Sequence, residues 1–408
     1  MDDSGLIHDW NVAEFETLPW GRRVELDDET LRDGLQSASV VDPPVEAKIR
    51  LIHIMDELGI HSADIGLPGA GPRAVADMVR LCEEMRDAKL AVAPNCAART
   101  MLADVEPAAR IAQKTGVVLE VCTFIGSSPI RLFAEGWTLD GMLRTAEESV
   151  SFCVDEGLPV TFVTEDTTRA DPETLKTLYG NAIRWGARRI CLSDTVGHAT
   201  PSGARSLIRF VKREIVDPSG VEVKIDWHGH RDRGLGLANA LAAIEAGANR
   251  VHATALGIGE RVGNVEMDLL LVNLALAGVH EADLSRLGDY CRLVSGECGV
   301  PLPANYPVMG ADAFRTATGV HAAAIVKAHA KGAEWLADRV YSGIPASLVG
   351  REQEIEIGPM SGISNVRYWL AKRGYDGGDT ALCKRIFARA KRADRTLTEE
   401  EVLDIVRT

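Results

Sequence analysis

The stretch PVTFVTEDTTRADPETLKTLYGNAIRWGARRICLSD, residues 159–194, places two short apolar runs on either side of one amphipathic segment. The runs PVTFVTE (159–165) and RRICLSD (188–194) are rich in Val, Ile, Leu and Thr and short enough for buried strands. Between them DPETLKTLYGNAIRWG (171–186) opens on Asp-Pro, a cap and first-turn pair, and stops at a glycine. That reads as a helix. A strand, a helix and a second strand make one unit of a parallel sheet.

The alternation continues outward in both directions. The runs 23–28, 62–67, 89–94, 117–125, 222–230 and 250–257 bring the strand candidates to eight. Stretches of helical length lie between them. Residues 44–59 carry Ile49, Ile52, Met55 and Leu58 at a spacing of three, and the stretches 44–59, 140–157 and 235–247 all end on glycine. Eight such units predict a (β/α)8 TIM barrel over 18–280 rather than an open doubly wound sheet. No GxGxxG follows the first strand, which weakens a dinucleotide fold. The alternation stops near residue 280. Residues 318–341 read as one or two helices and 378–406 as two, the last capped by Thr398 with Glu401 three positions on. The expected organisation is an N-terminal segment (1–17), the catalytic barrel (18–280), a linking subdomain (281–349) and a C-terminal helical subdomain (350–408).

The bulk composition narrows the function. The chain has 408 residues, 46% hydrophobic and 25% charged, with a formal charge of −14. Nucleic acids and anionic membranes need a basic face, so both are expected to be absent as partners. The acidic start MDDSGLIHDWNVAEFE lacks the apolar core of a signal peptide, and no apolar run approaches the roughly 20 residues of a membrane span. Eight scattered cysteines with no CxxC read as reduced core residues of a cytoplasmic enzyme.

Chemistry in such barrels sits at the carboxyl ends of the strands. Polar residues recur there: Arg32, Asp33 and Gln36 after the first run, Asp64 in the second, Arg131 after the fourth, Glu165 closing the fifth, Thr195 after the sixth, His228 and His230 closing the seventh, and Asn264 after the eighth. Residues two apart on a strand share a face, so the two imidazoles lie side by side. With Asp33 opposite they make an N,N,O set with open positions, suited to a divalent metal acting as Lewis acid. A lone histidine is more often a hydrogen-bonded core residue, and an Arg-Asp dipeptide is most often a surface ion pair. At the mouth of a barrel, however, Arg32 can stabilise an enolate or alkoxide oxygen. Thr195 either caps the next helix or binds a carboxylate. Arg131 is either a solvated loop residue or a bidentate partner for a second carboxylate.

ETLRDGLQ (29–36), HxH at the seventh strand and GIGERVGN (257–264) at the eighth together resemble the DRE-TIM metallolyase superfamily, within it the acetyl-CoA-condensing branch of 2-isopropylmalate and homocitrate synthases. The resemblance covers roughly residues 20–370 and includes TGVHAAAIVK (318–327) and SLVGREQEIEIGPMSG (347–362). It implies that Asp33, His228 and His230 ligate a divalent ion (Mg, Mn, Zn or Co), with Asn264 close to it. It further implies that Arg32 polarises the ketone of a 2-oxo acid and that Thr195 holds the carboxylate. Acetyl-CoA is the implied co-substrate. His321 and Tyr341 match a His and a Tyr that family members project into the neighbouring subunit, which implies a homodimer with exchanged C-terminal subdomains. From the sequence alone, His321 in its Ala-rich segment could equally be a half-buried helix residue.

Four positions depart from the family pattern. Arg231 stands where relatives carry Asn after HxH, and Asp64 where they carry Glu. Arg131 stands where isopropylmalate synthases often have His, and GPMSG (358–362) replaces a GKHSG-like run. Arg131 weights the substrate towards a dicarboxylic 2-oxo acid. Arg231 either binds an anionic substrate group or pairs with Asp232. The chain stops short of the leucine-binding domain of long isopropylmalate synthases, so no feedback inhibition of that kind is expected. The alternatives are a lyase of the hydroxymethylglutaryl-CoA type, against which GIGERVGN lacks the usual cysteine, and a non-catalytic barrel subunit.

Overall fold

The computed structural model describes residues 6–8, 10–11 and 23–408. Most of the expected N-terminal segment 1–17, and the first residues of the expected barrel, lie outside the described residues.

Eight parallel strands close in chain order: β1 (Glu25–Asp28), β2 (Ser62–Asp64), β3 (Ala93–Arg99), β4 (Glu120–Gly126), β5 (Val160–Glu165), β6 (Arg189–Asp194), β7 (Lys224–Gly229) and β8 (Arg250–Ala253). The pairing of Glu25 with Arg250 and of Asp28 with Ala253 shuts the ring. Around the quoted stretch the local logic holds. Asp171 caps the helix Pro172–Trp185 by accepting from the backbone N–H groups of Glu173 and Thr174, and Gly186 ends it at φ +116°. Leu175, Leu178, Ala182 and Ile183 turn its apolar stripe inward.

The third strand differs from its expectation. The run 89–94 is the approach, and the strand itself is APNCAAR. It has no β-branched residue, so composition hides it. Its small Ala97 and Ala98 are buried, and Asn95 donates to Asp27 Oδ1 at 2.5 Å. The eighth strand is shorter than expected, because residues 255–257 turn away in a 3-10 loop.

The chain divides into two compact units. One comprises the barrel to residue 283 with residues 289–301, and the other comprises 302–408 with 284–288 and residues 6–8. The run 289–301 therefore belongs with the barrel, where the Tyr290 hydroxyl donates to the buried Asp28 carboxylate. The second unit holds the helices Gly319–Ala330, Glu334–Ala337, Ile363–Lys372, Thr380–Ala390 and Glu399–Arg407, with the two-residue strands β9 (Arg315–Thr316) and β10 (Glu354–Ile355) paired. Thr398 and Glu401 cap the last helix reciprocally. Two small apolar clusters support this unit, one around Ala322, Ile325 and Ile355, the other around Trp369, Leu370 and Ile386. Among the described residues no helix is long and apolar enough to cross a membrane. All eight cysteines are free and buried.

Candidate active site

The interior of the barrel is lined by alternate residues of each strand; near the mouth those of β3 to β6 include the uncharged Ala97, Cys122, Val163 and Cys191, whereas the stripes of β1, β7 and β8 are ionisable. Glu25, Asp27 and Glu29 descend from β1, Asp226, His228 and His230 from β7, and Arg250 and His252 from β8. At the amino-terminal base the charges saturate one another. Arg250 donates from Nε to Asp226 at 2.8 Å, and from Nη1 and Nη2 to Glu120 at 3.1 and 2.7 Å. Arg189 holds the other Asp226 oxygen at 2.6 Å and also pairs with Glu25.

At the carboxyl-terminal mouth the stripes end in a cavity of about 320 Å³. Of the residues expected there, Arg32, Asp33, Gln36, Glu165, Thr195, His228 and His230 all line it. His228 Nε2 lies 3.2 Å from His230 Nε2, and the two sit 3.5 and 3.7 Å from Asp33 Oδ2. Donors about 2.0–2.2 Å from one ion stand roughly 3.0–3.5 Å apart, so this set fits a single divalent metal. Its surroundings fit as well. Asp33 Oδ1, Asn264 Oδ1 and His230 Nδ1 are buried without a hydrogen-bond partner, although a buried polar atom is normally satisfied. Gly259, at φ +147°, leaves room for Asn264. A Cβ there would lie 2.2 Å from Asn264 Nδ2 and 3.4 Å from Asp33 Oδ1.

The electrostatics leave the donors ready to bind. Burial first, and His228 beside it second, push His230 down to about 4, so its imidazole is neutral. Burial opposes ionisation of Asp33, but Arg32 and His228 outweigh it and hold the carboxyl below its usual range. Arg32 is clamped by three carboxylates. Nε donates to Asp64 at 2.7 Å, Nη2 to Glu29 at 2.7 Å, and Nη1 lies 3.2 Å from Asp33. Asp64 thus reaches the site through Arg32 rather than by lining the cavity, and burial raises its carboxyl to about 7 against the pull of that guanidinium.

Thr195 Oγ1 accepts from the Asp166 backbone N–H at 2.8 Å, which leaves the hydroxyl proton to donate into the cavity. Arg131 sits beside Glu165 (3.4 Å) and Glu135 (3.1 Å), with its Nε buried and unpartnered. Arg231 is placed differently from either expectation. Its Nε donates to the Val262 carbonyl at 2.8 Å and its Nη1 to Glu266 at 2.5 Å, so the guanidinium is spent beneath the loop after β8 rather than on a substrate group. Asp232 pairs instead with Arg261, at 2.7 and 2.9 Å. His321 and Tyr341 lie in the other unit, their rings stacked with centroids 3.9 Å apart.

Sequence reasoning missed Glu29 and His252. Glu29 Oε2 lies 2.7 Å from His228 Nδ1, and Glu29 Oε1 lies 2.9 Å from His252 Nδ1. The signal was the period of two: Glu29 continues the Glu25–Asp27 stripe, and His252 follows Arg250.

Fold and mouth together define a (β/α)8 barrel bearing a donor set able to hold a metal ion. Residues 23–294 match the HMGL-like family, and the chain belongs to that family. It is 33% identical to homocitrate synthase AksA of Methanopyrus kandleri, over 93% of this chain and 91% of that protein. It is 30% identical to a homocitrate synthase of Saccharolobus islandicus, over 90% and 76%. Among solved structures it is similar to the HMG-CoA lyase of Bacillus subtilis, with a TM-score of 0.58 at 18% identity, covering 70% of this chain and 97% of that one. That last likeness speaks for the fold alone.

Proposed function

We propose that the protein condenses acetyl-CoA with a 2-oxo acid, adding water and releasing CoA and a 2-hydroxy dicarboxylic or tricarboxylic acid. The observation that carries this reading is the convergence of Asp33, His228 and His230 at the mouth of a barrel whose relatives, over nearly the whole chain, include homocitrate synthases and a putative (R)-citramalate synthase. These three residues, with Asn264 beside them, would hold the divalent ion. When bound, that ion supplies Lewis-acid polarisation of the ketone.

The remaining work falls to the chain. Arg32 presents a guanidinium locked by Glu29, Asp33 and Asp64, and so stabilises the oxygen that gains charge when the ketone is attacked, with no reorganisation. Thr195 donates its hydroxyl to the substrate carboxylate. A base must take a proton from the acetyl methyl group, and the half-buried Glu165 carboxylate at the cavity wall supports assigning that role to it. The resulting carbanion attacks the ketone carbon, and hydrolysis of the thioester then releases CoA. Gln36 borders the same cavity as a further substrate contact.

The substrate we favour is dicarboxylic, 2-oxoglutarate. Arg131, with one unpartnered nitrogen and two exchangeable carboxylate neighbours, is suited to a distal carboxylate. His321 and Tyr341 complete the reading as groups contributed by a partner in a homodimer with exchanged C-terminal subdomains. Tyr341 is 48% exposed, as a contributed residue should be before it is covered. Free, buried cysteines agree with a reducing, cytoplasmic setting.

The test is a substrate panel. Purified protein with Mg²⁺ or Mn²⁺, acetyl-CoA and one of 2-oxoglutarate, 2-oxoisovalerate, pyruvate or oxaloacetate is assayed for free thiol. Release of CoA with 2-oxoglutarate is expected. No release with any acid overturns the synthase reading, and cleavage of a 3-hydroxyacyl-CoA would replace it with a lyase.

A further inference from the structure

A metal ligand is only as good as the group that holds it in place. His228 turns Nε2 towards His230 and Asp33, so a ring that offers Nε2 to a metal carries its proton on Nδ1. Nδ1 lies 2.7 Å from Glu29 Oε2. The contact is off the line of the N–H bond, and that oxygen makes no aligned hydrogen bond elsewhere. It is thus the free acceptor towards which a small rotation of the ring points.

Glu29 is itself fixed from behind. Its Oε1 accepts from Arg32 Nη2 at 2.7 Å and from His252 Nδ1 at 2.9 Å. His252 Nε2 in turn lies 3.1 Å from Asp226 Oδ2. Carboxylates only accept, so a ring between two of them carries protons on both nitrogens and is a cation. Asp226 is anchored by Arg250 and Arg189. The chain Arg250–Asp226–His252–Glu29 is therefore hydrogen-bonded from the base of the barrel upward, and a 2.7 Å contact carries it on to His228 at the mouth. His252, Glu29 and Asp226 are each 3% exposed or less.

Glu29, His228 and His252 also form a group of possible ligands. It competes with the first set, because both use His228. With His252 protonated on both nitrogens it has no lone pair to offer, and its 2.9 Å separation from Glu29 is that of a hydrogen bond.

We infer that Glu29 and His252 are positioning residues that set the tautomer and tilt of His228 and thereby the affinity of the mouth for its divalent ion. The inference rests on the reading of Asp33, His228 and His230 as the metal set. Glu29→Gln is nearly isosteric and removes the charge that prefers an N–H on Nδ1. His252→Gln loosens the hold on Glu29 from behind.

The experiment uses the full chain stripped of metal, Mn²⁺ as the probe in equilibrium dialysis, and ¹⁵N ring shifts of labelled histidine as the tautomer readout. In the parent protein His228 should show Nδ1 protonated and Nε2 bare before metal is added. Glu29→Gln should weaken Mn²⁺ binding about 10–100-fold and mix the His228 tautomers. His252→Gln should weaken it less, about tenfold. Glu29→Asp, which keeps the charge, should recover part of both signals. If Glu29→Gln and His252→Gln bind Mn²⁺ as the parent does, with the tautomer unmoved, the relay is refuted while the metal set stands. If the parent protein itself binds no Mn²⁺, the metal set fails and the relay with it. Should His252→Gln fail to fold, Glu29→Gln and Glu29→Asp alone decide the matter.

Discussion

The two ends of the barrel interior are made of the same kinds of residue on the same strands, and they differ in whether the charges are spent. At the base, both oxygens of Asp226, both of Glu120 and all three nitrogens of Arg250 have partners. At the mouth, Asp33 Oδ1, Asn264 Oδ1 and His230 Nδ1 have none. Leaving a buried polar atom unpaired costs about 1–3 kcal/mol. The base is therefore arranged for a stable barrel, and the mouth keeps buried polar atoms uncommitted to other side chains. The two arginines do not divide this way: each has a partner for every side-chain nitrogen, and what sets Arg32 apart is that it lines the cavity.

The sharpest way to break this comparison is to mutate one end and measure both properties. His228→Ala should cost activity on the order of a thousandfold, the equivalent of several kcal/mol of lost Lewis-acid catalysis. The unfolding free energy of the metal-free protein in urea should move less than in Arg250→Met, because His228 stands at the end of its chain of contacts rather than within it. Unchanged turnover in His228→Ala would remove the mouth from the chemistry. Arg250→Met is the counterpart. It strands Asp226 and Glu120 and should lower the unfolding free energy by about 3–5 kcal/mol in the same titration. A stable Arg250→Met protein would show that the base contributes little.

Arg131→Ala probes the rim of the mouth. It should reduce kcat/KM for 2-oxoglutarate by about tenfold to a hundredfold, the range of a hydrogen bond to a charged group. Turnover of 2-oxoisovalerate should change little, and equal losses on both acids would argue against a distal carboxylate site.

The smallest expected effect lies outside both ends. Burial raises Asp28 to about 7, despite hydrogen bonds from Thr30 and Tyr290. In the unfolded chain the same carboxyl titrates near 4. Between these values the folded protein holds a proton that the unfolded chain has lost, so this residue makes stability fall as pH rises from about 4 to 7. Asp28→Asn should flatten that part of the stability profile, as read by denaturation midpoints across pH. An unaltered slope would show that Asp28 is ionised in the fold.

Much of this was legible in the sequence because it is written at short range. Glycine stops, an Asp-Pro cap and runs of Val, Ile and Thr gave seven of the eight strands close to their observed places. The third escaped because APNCAAR has the composition of a loop; what makes it a strand is the small space its alanines fill and the Asp27 carboxylate that Asn95 meets across the barrel. At the site, HxH was readable because i and i+2 share a face in any strand, and its link to Asp33 followed from barrel closure. Glu29 and His252 were readable only as inward-facing positions, because what each does depends on a partner more than 190 positions away. Arg231 could be seen as unusual, but its direction could not be known, since the Val262 carbonyl and Glu266 that hold it are placed by the turn after β8.

By itself, then, the sequence determined the alternation of elements, the eightfold repeat and the residue types at the strand ends, since these depend on local propensity and periodicity. Only the tertiary structure decided which charges are neutralised and which remain available. That depends on distances between side chains from different strands, and closing the barrel is what sets those distances.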